Sequence, residues 1–228
     1  MSPDQLEEGS WEFHRLTPER WTDFEELFGE HGAAGGCWCM WWRLTGKEFD
    51  AQKGERNRTA MKAIVDAGHV PGILAYHEGH PVGWCAVAPR EEFPRLERSR
   101  ILKPVDDEPV WSVVCFFIAK SYRRSGVARR LLKAALDYVR DCGGRIVEGY
   151  PVDPEKSGIP DLFAYHGLAS MFRSAGFKEV GRRSETRPIM RYVIDPDVRV
   201  SCERIELGTR SLWSPQDIVD AHPLSCVI

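Results

Sequence analysis

The chain has 228 residues, of which 43% are hydrophobic and 29% are charged, a size and composition typical of one globular domain. A formal net charge of -3 provides no general attraction to nucleic acid or to an anionic membrane, so we expect neither partner. The seven cysteines, an odd number, indicate reduced thiols and a cytoplasmic protein rather than a disulfide framework. The acidic start and the lack of any apolar run of about 20 residues predict neither a secretory signal nor a membrane helix.

The first half of the chain is predicted to alternate strands and helices. Apolar and polar residues alternate over 11–16, and Thr17-Pro18 is a typical helix start. A Gly-rich aromatic stretch, 31–42, follows that helix. The remaining predicted elements are a polar helix over 55–67 and an antiparallel hairpin formed by strands 72–77 and 81–88.

The second half contains the most apolar segment. Residues 110–119 are apolar on both alternating faces, which predicts a central strand covered by helices on each side. Before it, 90–107 is a charged loop with a short helix. The later predicted elements are helices over 127–142 and 165–175 and strands over 145–150, 178–183 and 189–194, with a further possible strand over 199–207. This order predicts a mixed α/β (α+β) domain whose largely antiparallel sheet has helices on both faces.

A basic turn at 122–128 connects the buried strand to the amphipathic helix that follows. The first backbone N–H groups of a helix lack intrahelical partners, and such groups bind phosphate. Gly126 lets the backbone approach an anion and the small Ala128 permits close packing, while Arg123 and Arg124 add positive charge. A solvated basic helix start is the alternative interpretation.

Two segments resemble conserved elements of the GNAT acetyltransferase superfamily. Residues 118–128 (IAKSYRRSGVA) resemble its signature V-x-P-x-Y-R-x-x-G-x-G/A, with Lys120 in place of the proline. Residues 171–177 (MFRSAGF) resemble its later L-Y-x-x-x-G-F element. The resemblance covers a domain over 10–194 and leaves 195–228 as a C-terminal extension of unknown role.

The resemblance implies a GNAT-like sheet that is split between its central pair of strands. Acetyl-CoA, the implied co-substrate, would lie between the strand ending at Ile118 and the strand 145–150. Its pyrophosphate would meet the amides of 124–128, and one backbone N–H of 117–119 would polarise the thioester carbonyl. The predicted cofactor-binding residues are Phe117, Ile118, Ala119, Arg123, Arg124, Ser125, Gly126, Val127 and Ala128.

The implied reaction is acetyl transfer to a primary amine of a small molecule by direct attack in a ternary complex. Phe172 stands where many relatives carry a tyrosine thought to protonate the leaving thiolate. Tyr165 and His166, at the start of the predicted helix 165–175, are the catalytic candidates in its place. The alternative is that Tyr165 packs in the core and His166 is solvated or caps the helix.

No carboxylate lies in the buried strand 110–119, so a general base has to come from elsewhere. Glu91, Glu92, Glu148 and Asp153 could act through water, although such residues are more often ordinary surface charges. Cys115 is expected to be a core residue rather than a nucleophile.

Residues 37–42 (CWCMWW) form the most unusual local composition in the chain. They are interpreted as an aromatic plug between helices, with an acceptor-pocket wall as the alternative. A metal site is not favoured, because no second Cys or His pair stands at ligand spacing. Two other functions stay open: a non-catalytic acyl-CoA-binding module, and acetylation of a protein amine. The tail and the edge strands could also form a homodimer contact.

Overall fold

The structure is a computed structural model that describes residues 9–153 and 165–195. Its centre is a seven-stranded sheet with the order β1-β2-β3-β4-β5-β7-β6. The strands are β1 Trp11–Arg15, β2 Gly72–His77, β3 His80–Pro89, β4 Trp111–Ile118, β5 Ile146–Gly149, β6 Lys178–Arg182 and β7 Pro188–Val193. The α-helices are α1 Trp21–Phe28, α2 Gly46–Gln52, α3 Glu55–Asp66, α4 Pro94–Glu97, α5 Val127–Asp141 and α6 Ala169–Ser174.

The predicted mixed α/β fold is confirmed. Every neighbouring pair of strands is antiparallel except β4 and β5, which are parallel. The apolar faces of α5 and α6 pack on one side of the sheet, and α1, α3 and the aromatic segment 37–42 pack on the other. No helix in the described ranges is long and apolar enough to span a membrane.

A β-bulge in β4 sets the geometry of the centre. Cys115 lies opposite Ala86 and Val113 lies opposite Val87, which leaves Val114 as an extra residue. Val114 and Cys115 therefore both contact the core on the α1 side, where strict alternation would place only one of them.

The bulge is also where β4 and β5 separate. The parallel pairing covers only Trp111–Ser112–Val113 against 147–149, while β4 continues to Ile118 with β3 on its other side. Among the described residues, no strand pairs with the remaining edge of β4 after the bulge. The split predicted between the central strands is thus present.

The structure corrects two predicted helix starts and adds one helix. The helix predicted over 165–175 begins only at Ala169, because Gly167 has a φ of +77° and interrupts the helical backbone. The helix expected at Pro18 opens with a 3-10 turn and becomes α-helical at Trp21. Helix α2 was not predicted, although Thr45 and Glu48 form a capping box at its start. The possible strand 199–207 and the extension after residue 195 lie outside the described residues.

Candidate active site

The turn after β4 presents backbone amides at the start of α5. The first amides inside this helix to bond are those of Arg129 and Arg130, which both donate to the carbonyl of Gly126. In the described part of the chain, the amides of 125–128 donate no backbone hydrogen bond. A helix N-terminus with open amides attracts anions through hydrogen bonding and through the helix dipole.

The backbone conformation of the turn depends on Gly126. Its φ of +81° is left-handed, and an added Cβ would meet only Arg129 Nη2, at 3.9 Å. The space beside the Cα of Gly126 is therefore open, and the glycine is required by conformation rather than by crowding. Arg124 also has a left-handed φ, of +66°. Arg123 turns back along the strand, and its Nε donates to the Ile118 carbonyl over 3.1 Å.

The free edge of β4 offers fewer backbone groups than the sequence predicted. The N–H of Ala119 donates to the Val82 carbonyl, at 2.9 Å, and so points toward β3. Because backbone direction alternates along a strand, the N–H of Phe117 also points toward β3, whereas those of Phe116 and Ile118 point into the split. Phe116 was not predicted as a site residue. The bulge sets the direction of the Phe116 N–H. It arises from the pairing with β3, so the sequence of β4 alone does not reveal it.

His166 lies buried at the point where β4 and β5 separate. Its Nδ1 donates a hydrogen bond to the carbonyl of Val114, at 3.1 Å, which assigns the ring proton to that nitrogen. Burial, with a further contribution from the nearby Arg187, lowers the pKa of His166 well below 6.5. The alternative of a solvated or capping His166 is wrong: the residue is a neutral, buried imidazole that holds the bulge.

Tyr165 is half-buried and lies against His166, with the ring centroids 3.8 Å apart. Burial, and then the nearby thiol of Cys115, raises the pKa of Tyr165 to about 12, while Arg187 and Arg95 act in the opposite direction. The hydroxyl is therefore protonated at neutral pH. Tyr165 and His166 lie together, but in a 3-10 turn before α6 rather than in the α-helix itself.

Phe172 is fully buried and is part of the core. Its ring packs edge-on against Phe116 and Phe177, with centroid distances of 6.3 and 4.9 Å. A Cβ on Gly149 would lie 2.0 Å from the Phe172 ring, so the end of β5 admits only glycine beneath this aromatic side chain. The ring fills the space between β5 and α6 and carries no group that could protonate a thiolate.

Two carboxylates that were expected at the surface are buried instead. Glu148 is 1% exposed and accepts hydrogen bonds from Arg191, the shortest at 2.7 Å. Asp153 is 4% exposed and accepts from Arg182 at 2.9 Å and from Arg173 at 3.0 Å. Burial is tolerated because each carboxylate is matched by guanidinium groups.

The other two carboxylate candidates follow β3. Glu91 is exposed, and Glu92 accepts a hydrogen bond from Arg43, at 2.5 Å. Within the described ranges, no carboxylate forms a hydrogen bond with Tyr165 or His166. A general base acting through water stays a prediction for all four carboxylates.

The interpretation of 37–42 as a plug is confirmed by burial. Trp38 stacks on Phe28 in the core, with the rings 15° from parallel. Trp42 meets the ring of His166 at a centroid distance of 5.4 Å, which connects the plug to the split. The buried members of the segment are Trp38, Cys39, Met40 and Trp42. No group of three potential metal-binding side chains occurs in the described residues.

Trp41 is the half-buried tryptophan of this segment, and its ring face is already covered. The guanidinium carbon of Arg95 lies 3.7 Å from its ring centroid. This geometry is a cation–π contact supplied by the protein itself. A cationic acceptor would have to displace Arg95 to reach that face.

Cys115 was expected in the core, but it is only partly buried. A hydrogen bond with the Cys39 side chain, together with burial, raises the pKa of Cys115 well above the usual value for a thiol. The sulfur of Cys39 also accepts the indole N–H of Trp84, at 3.1 Å. A thiol held protonated is a poor nucleophile, so Cys115 forms part of the wall of the site.

A family model, the acetyltransferase (GNAT) family, matches residues 38–154. The match covers half of the chain and includes β4, the turn at 122–128 and β5. The chain belongs to the GNAT acetyltransferase family, whose members are acyl-CoA-dependent. No match was found among curated protein sequences.

Solved structures show the same fold at low sequence identity. An acetyltransferase of the GNAT family from Listeria monocytogenes 4b F2365 is 8% identical, with a TM-score of 0.51, covering 81% of this chain and 95% of that one. The aminoglycoside N-acetyltransferase AAC(6')-Iy, in complex with CoA, is 16% identical, with a TM-score of 0.50, covering 77% and 93%.

Proposed function

We propose that the protein transfers the acetyl group of acetyl-CoA to a primary amine of a small molecule, by direct attack in a ternary complex. The observation that carries this proposal is the continuity of the split. A free strand edge runs from the bulge at Val114 to Ile118, and the open amides of 125–128 follow directly. One extended ligand with a phosphate group at one end fits such a groove.

The donor would be bound mainly by backbone groups. The amides of 124–128 would hold the pyrophosphate, and Arg123 and Arg124 would add charge-assisted contacts. The outward backbone groups of Phe116 and the N–H of Ile118 would bond the pantetheine arm, whereas the Ile118 carbonyl already accepts from Arg123. The N–H of Phe116 lies nearer the bulge, so it is our candidate donor to the thioester oxyanion. The CoA complex of the aminoglycoside N-acetyltransferase supports a CoA site in this fold.

Tyr165 is our candidate for assisting the departing thiolate. Its pKa of about 12 keeps the hydroxyl protonated, so it can donate a hydrogen bond to developing negative charge on sulfur. Complete proton transfer to a thiolate, whose conjugate thiol has a pKa of about 8.5, would be uphill. Tyr165 thus stabilises the leaving group. His166 acts indirectly, because it holds the carbonyl of Val114.

A small acceptor is favoured over a protein amine because the aromatic segment fills one side of the site. Trp42 is buried against His166, and Arg95 covers Trp41, so aromatic side chains occupy this side of the split in the described residues. We further propose a cytoplasmic location and a homodimer formed through an outer strand of the sheet, β1 or β6.

The test is calorimetric titration of acetyl-CoA into the wild type, Gly126→Trp and Gly143→Trp. Gly126 and Gly143 lie at opposite ends of α5, and both have left-handed φ angles and open surroundings. We expect Gly126→Trp to weaken binding at least about 100-fold, because an indole would cover the amides, and Gly143→Trp to bind as the wild type does.

Measuring the release of free CoA with a panel of primary amines then distinguishes an enzyme from a non-catalytic binding module. Turnover with a small amine supports the proposal. Tight binding of acetyl-CoA without turnover on any small amine or peptide would identify a non-catalytic module. Turnover on peptides alone would identify a protein acetyltransferase, and absence of binding by the wild type would refute the acyltransferase function.

A further inference from the structure

We propose that the acceptor amine also carries a carboxylate, and that Arg95 and Arg187 bind this carboxylate beside Tyr165. The substrate class is then an amino acid or a similar amino-carboxylate. This inference rests on the proposed acetyltransferase function and specifies its acceptor. Three features carry it: the incomplete bonding of both guanidinium groups, their common neighbour, and their position along the split.

Arg95 is held in place by neutral groups. Its ring contact with Trp41 positions the guanidinium plane, and its Nε donates to the carbonyl of Leu44 at 3.2 Å. Its Nη2 is buried and has no hydrogen-bond partner within the described residues. Burial lowers the pKa of Arg95, because the charged form loses hydration.

Arg187 lies just before β7. Its Nη2 donates to the carbonyl of Tyr150, at 3.0 Å, at the end of β5. Its Nε is buried without a partner in the described part of the chain, and burial lowers its pKa as well. The side chain is therefore anchored by a carbonyl and leaves donors unused.

The other partly buried arginines around this end of the sheet are paired with carboxylates. Arg43 binds Glu92, and Arg191 binds both Glu148 and Asp106. Over 9–153 and 165–195, neither Arg95 nor Arg187 has a carboxylate within salt-bridge distance. The acid whose charge reaches Arg95 is Asp50, and its carboxylate is 3.0 Å from Lys53.

Both arginines lie around the segment that carries Tyr165 and His166. The backbone N–H of Arg95 donates to the carbonyl of Trp42, at 3.3 Å, and the Trp42 ring contacts His166. Arg187 follows Thr186, whose carbonyl accepts from the N–H of Asp153, while the N–H of the preceding Val152 donates to Gly167.

The charges of Arg187 and Arg95 each lower the pKa of Tyr165, and Arg187 also reaches His166. His166 marks the start of the split, because it binds Val114. The pyrophosphate turn begins after Ile118, about 13 Å further along an extended strand. The arginine pair thus belongs to the reacting end of the groove and not to the phosphate end.

Guanidinium groups with unused donors recognise a carboxylate by paired, charge-assisted hydrogen bonds. The same charges disfavour an acceptor that carries only ammonium groups. They would also lower the pKa of a nearby amine and increase its neutral, nucleophilic fraction. One arrangement therefore selects an amino-carboxylate and helps to deprotonate it, at a site where no carboxylate base contacts Tyr165 or His166 in the described residues.

The experiment compares matched acceptors that differ only at the carboxylate. Each amino acid of a panel of α-, β- and γ-amino acids is assayed beside its carboxamide, and kcat/KM is measured for CoA release. We expect the wild type to prefer the carboxylate at least about 10-fold. We expect Arg187→Gln and Arg95→Gln each to remove most of that preference, a reduction of about 10-fold, as for loss of a charge-assisted hydrogen bond.

The matched control is Arg183→Gln, which removes the same charge from an exposed arginine between β6 and β7. It should keep the preference, and all variants should bind acetyl-CoA as the wild type does. Arg187→Lys should retain more of the preference than Arg187→Gln does, because lysine keeps the positive charge but lacks the paired donors of a guanidinium group. If Arg187→Gln does not fold, Arg95→Gln decides alone.

The inference is overturned if the wild type acetylates amides as well as carboxylates, or if only amines without a carboxylate are turned over. In either case acetyl-CoA binding and turnover would leave the acetyltransferase function intact. Failure of the wild type to bind acetyl-CoA would instead refute the function on which the inference rests.

Discussion

The two halves of the β4–β5 pair differ in how their charges are neutralised. In the paired half, Glu148 lies between Arg191 and Arg90, at 2.7 and 3.4 Å. Tyr150 completes this network, because its hydroxyl donates to Glu148 at 3.0 Å and accepts from Arg90 at 2.6 Å. In the open half, beyond the bulge, Arg187 meets only the carbonyl of Tyr150 in the described residues.

Arginines therefore differ in their partners between the two halves. Where β4 and β5 pair, a buried carboxylate is surrounded by cations and the network is complete, so its removal should affect stability. Where the strands separate, a neutral histidine, a protonated tyrosine and incompletely bonded guanidinium groups face the gap. Substitutions there should change activity or pH dependence more than the free energy of unfolding at neutral pH.

The largest expected effect is on stability, in the paired half. Glu148→Gln removes the charge that compensates Arg90 and Arg191, and it should lower the free energy of unfolding by about 3–5 kcal/mol. Urea denaturation at neutral pH measures this change. Asp66→Asn, which breaks the exposed pair with Lys62, is the control and should cost less than about 0.5 kcal/mol. Equal effects at the two sites would contradict the contrast between the halves.

The second effect is on catalysis, in the open half. Tyr165→Phe removes the hydroxyl that would stabilise the leaving thiolate, and kcat should fall about 100-fold with little change in the free energy of unfolding. Steady-state kinetics with the best amine measures kcat, and calorimetric titration measures the binding of acetyl-CoA. A kcat equal to that of the wild type would show that Tyr165 only packs.

The smallest expected effect is on the pH dependence of the free energy of unfolding, and it tests the same difference between the two halves. Because burial, followed by Arg187, lowers the pKa of His166 below 6.5 in the folded state, the unfolded state binds more protons below that pH. The contribution of His166 is thus complete above pH 6.5 and is lost as the pH falls. Between pH 7.5 and pH 5.5 the loss is about 1.4 kcal/mol.

His166→Asn keeps a donor for the Val114 carbonyl but does not titrate. Its free energy of unfolding should therefore decrease less than that of the wild type over the same pH range, by about 1.4 kcal/mol. Denaturation of both proteins at the two pH values provides the comparison. Parallel pH profiles would mean that His166 is solvated in the folded protein.

The amino-acid sequence by itself determined the order of the strands and the place of the turn between β4 and α5. The apolar run 110–119 could only be a strand buried on both faces, and Gly126 and Ala128 identified the turn after it. These predictions depend on neighbours along the chain, which is the information that periodicity and motif spacing contain. The same local patterns also showed that Phe172 stands where the similar motif has a tyrosine.

Only the tertiary structure decided what surrounds the split. The bulge at Val114 arises from pairing with β3, and the burial of Glu148 and Asp153 depends on arginines distant in the chain. Arg187, which was not predicted as a site residue, approaches Tyr165 because β7 pairs with β5. Charge compensation and backbone direction are set by partners across the sheet, so no local pattern in the sequence could reveal them.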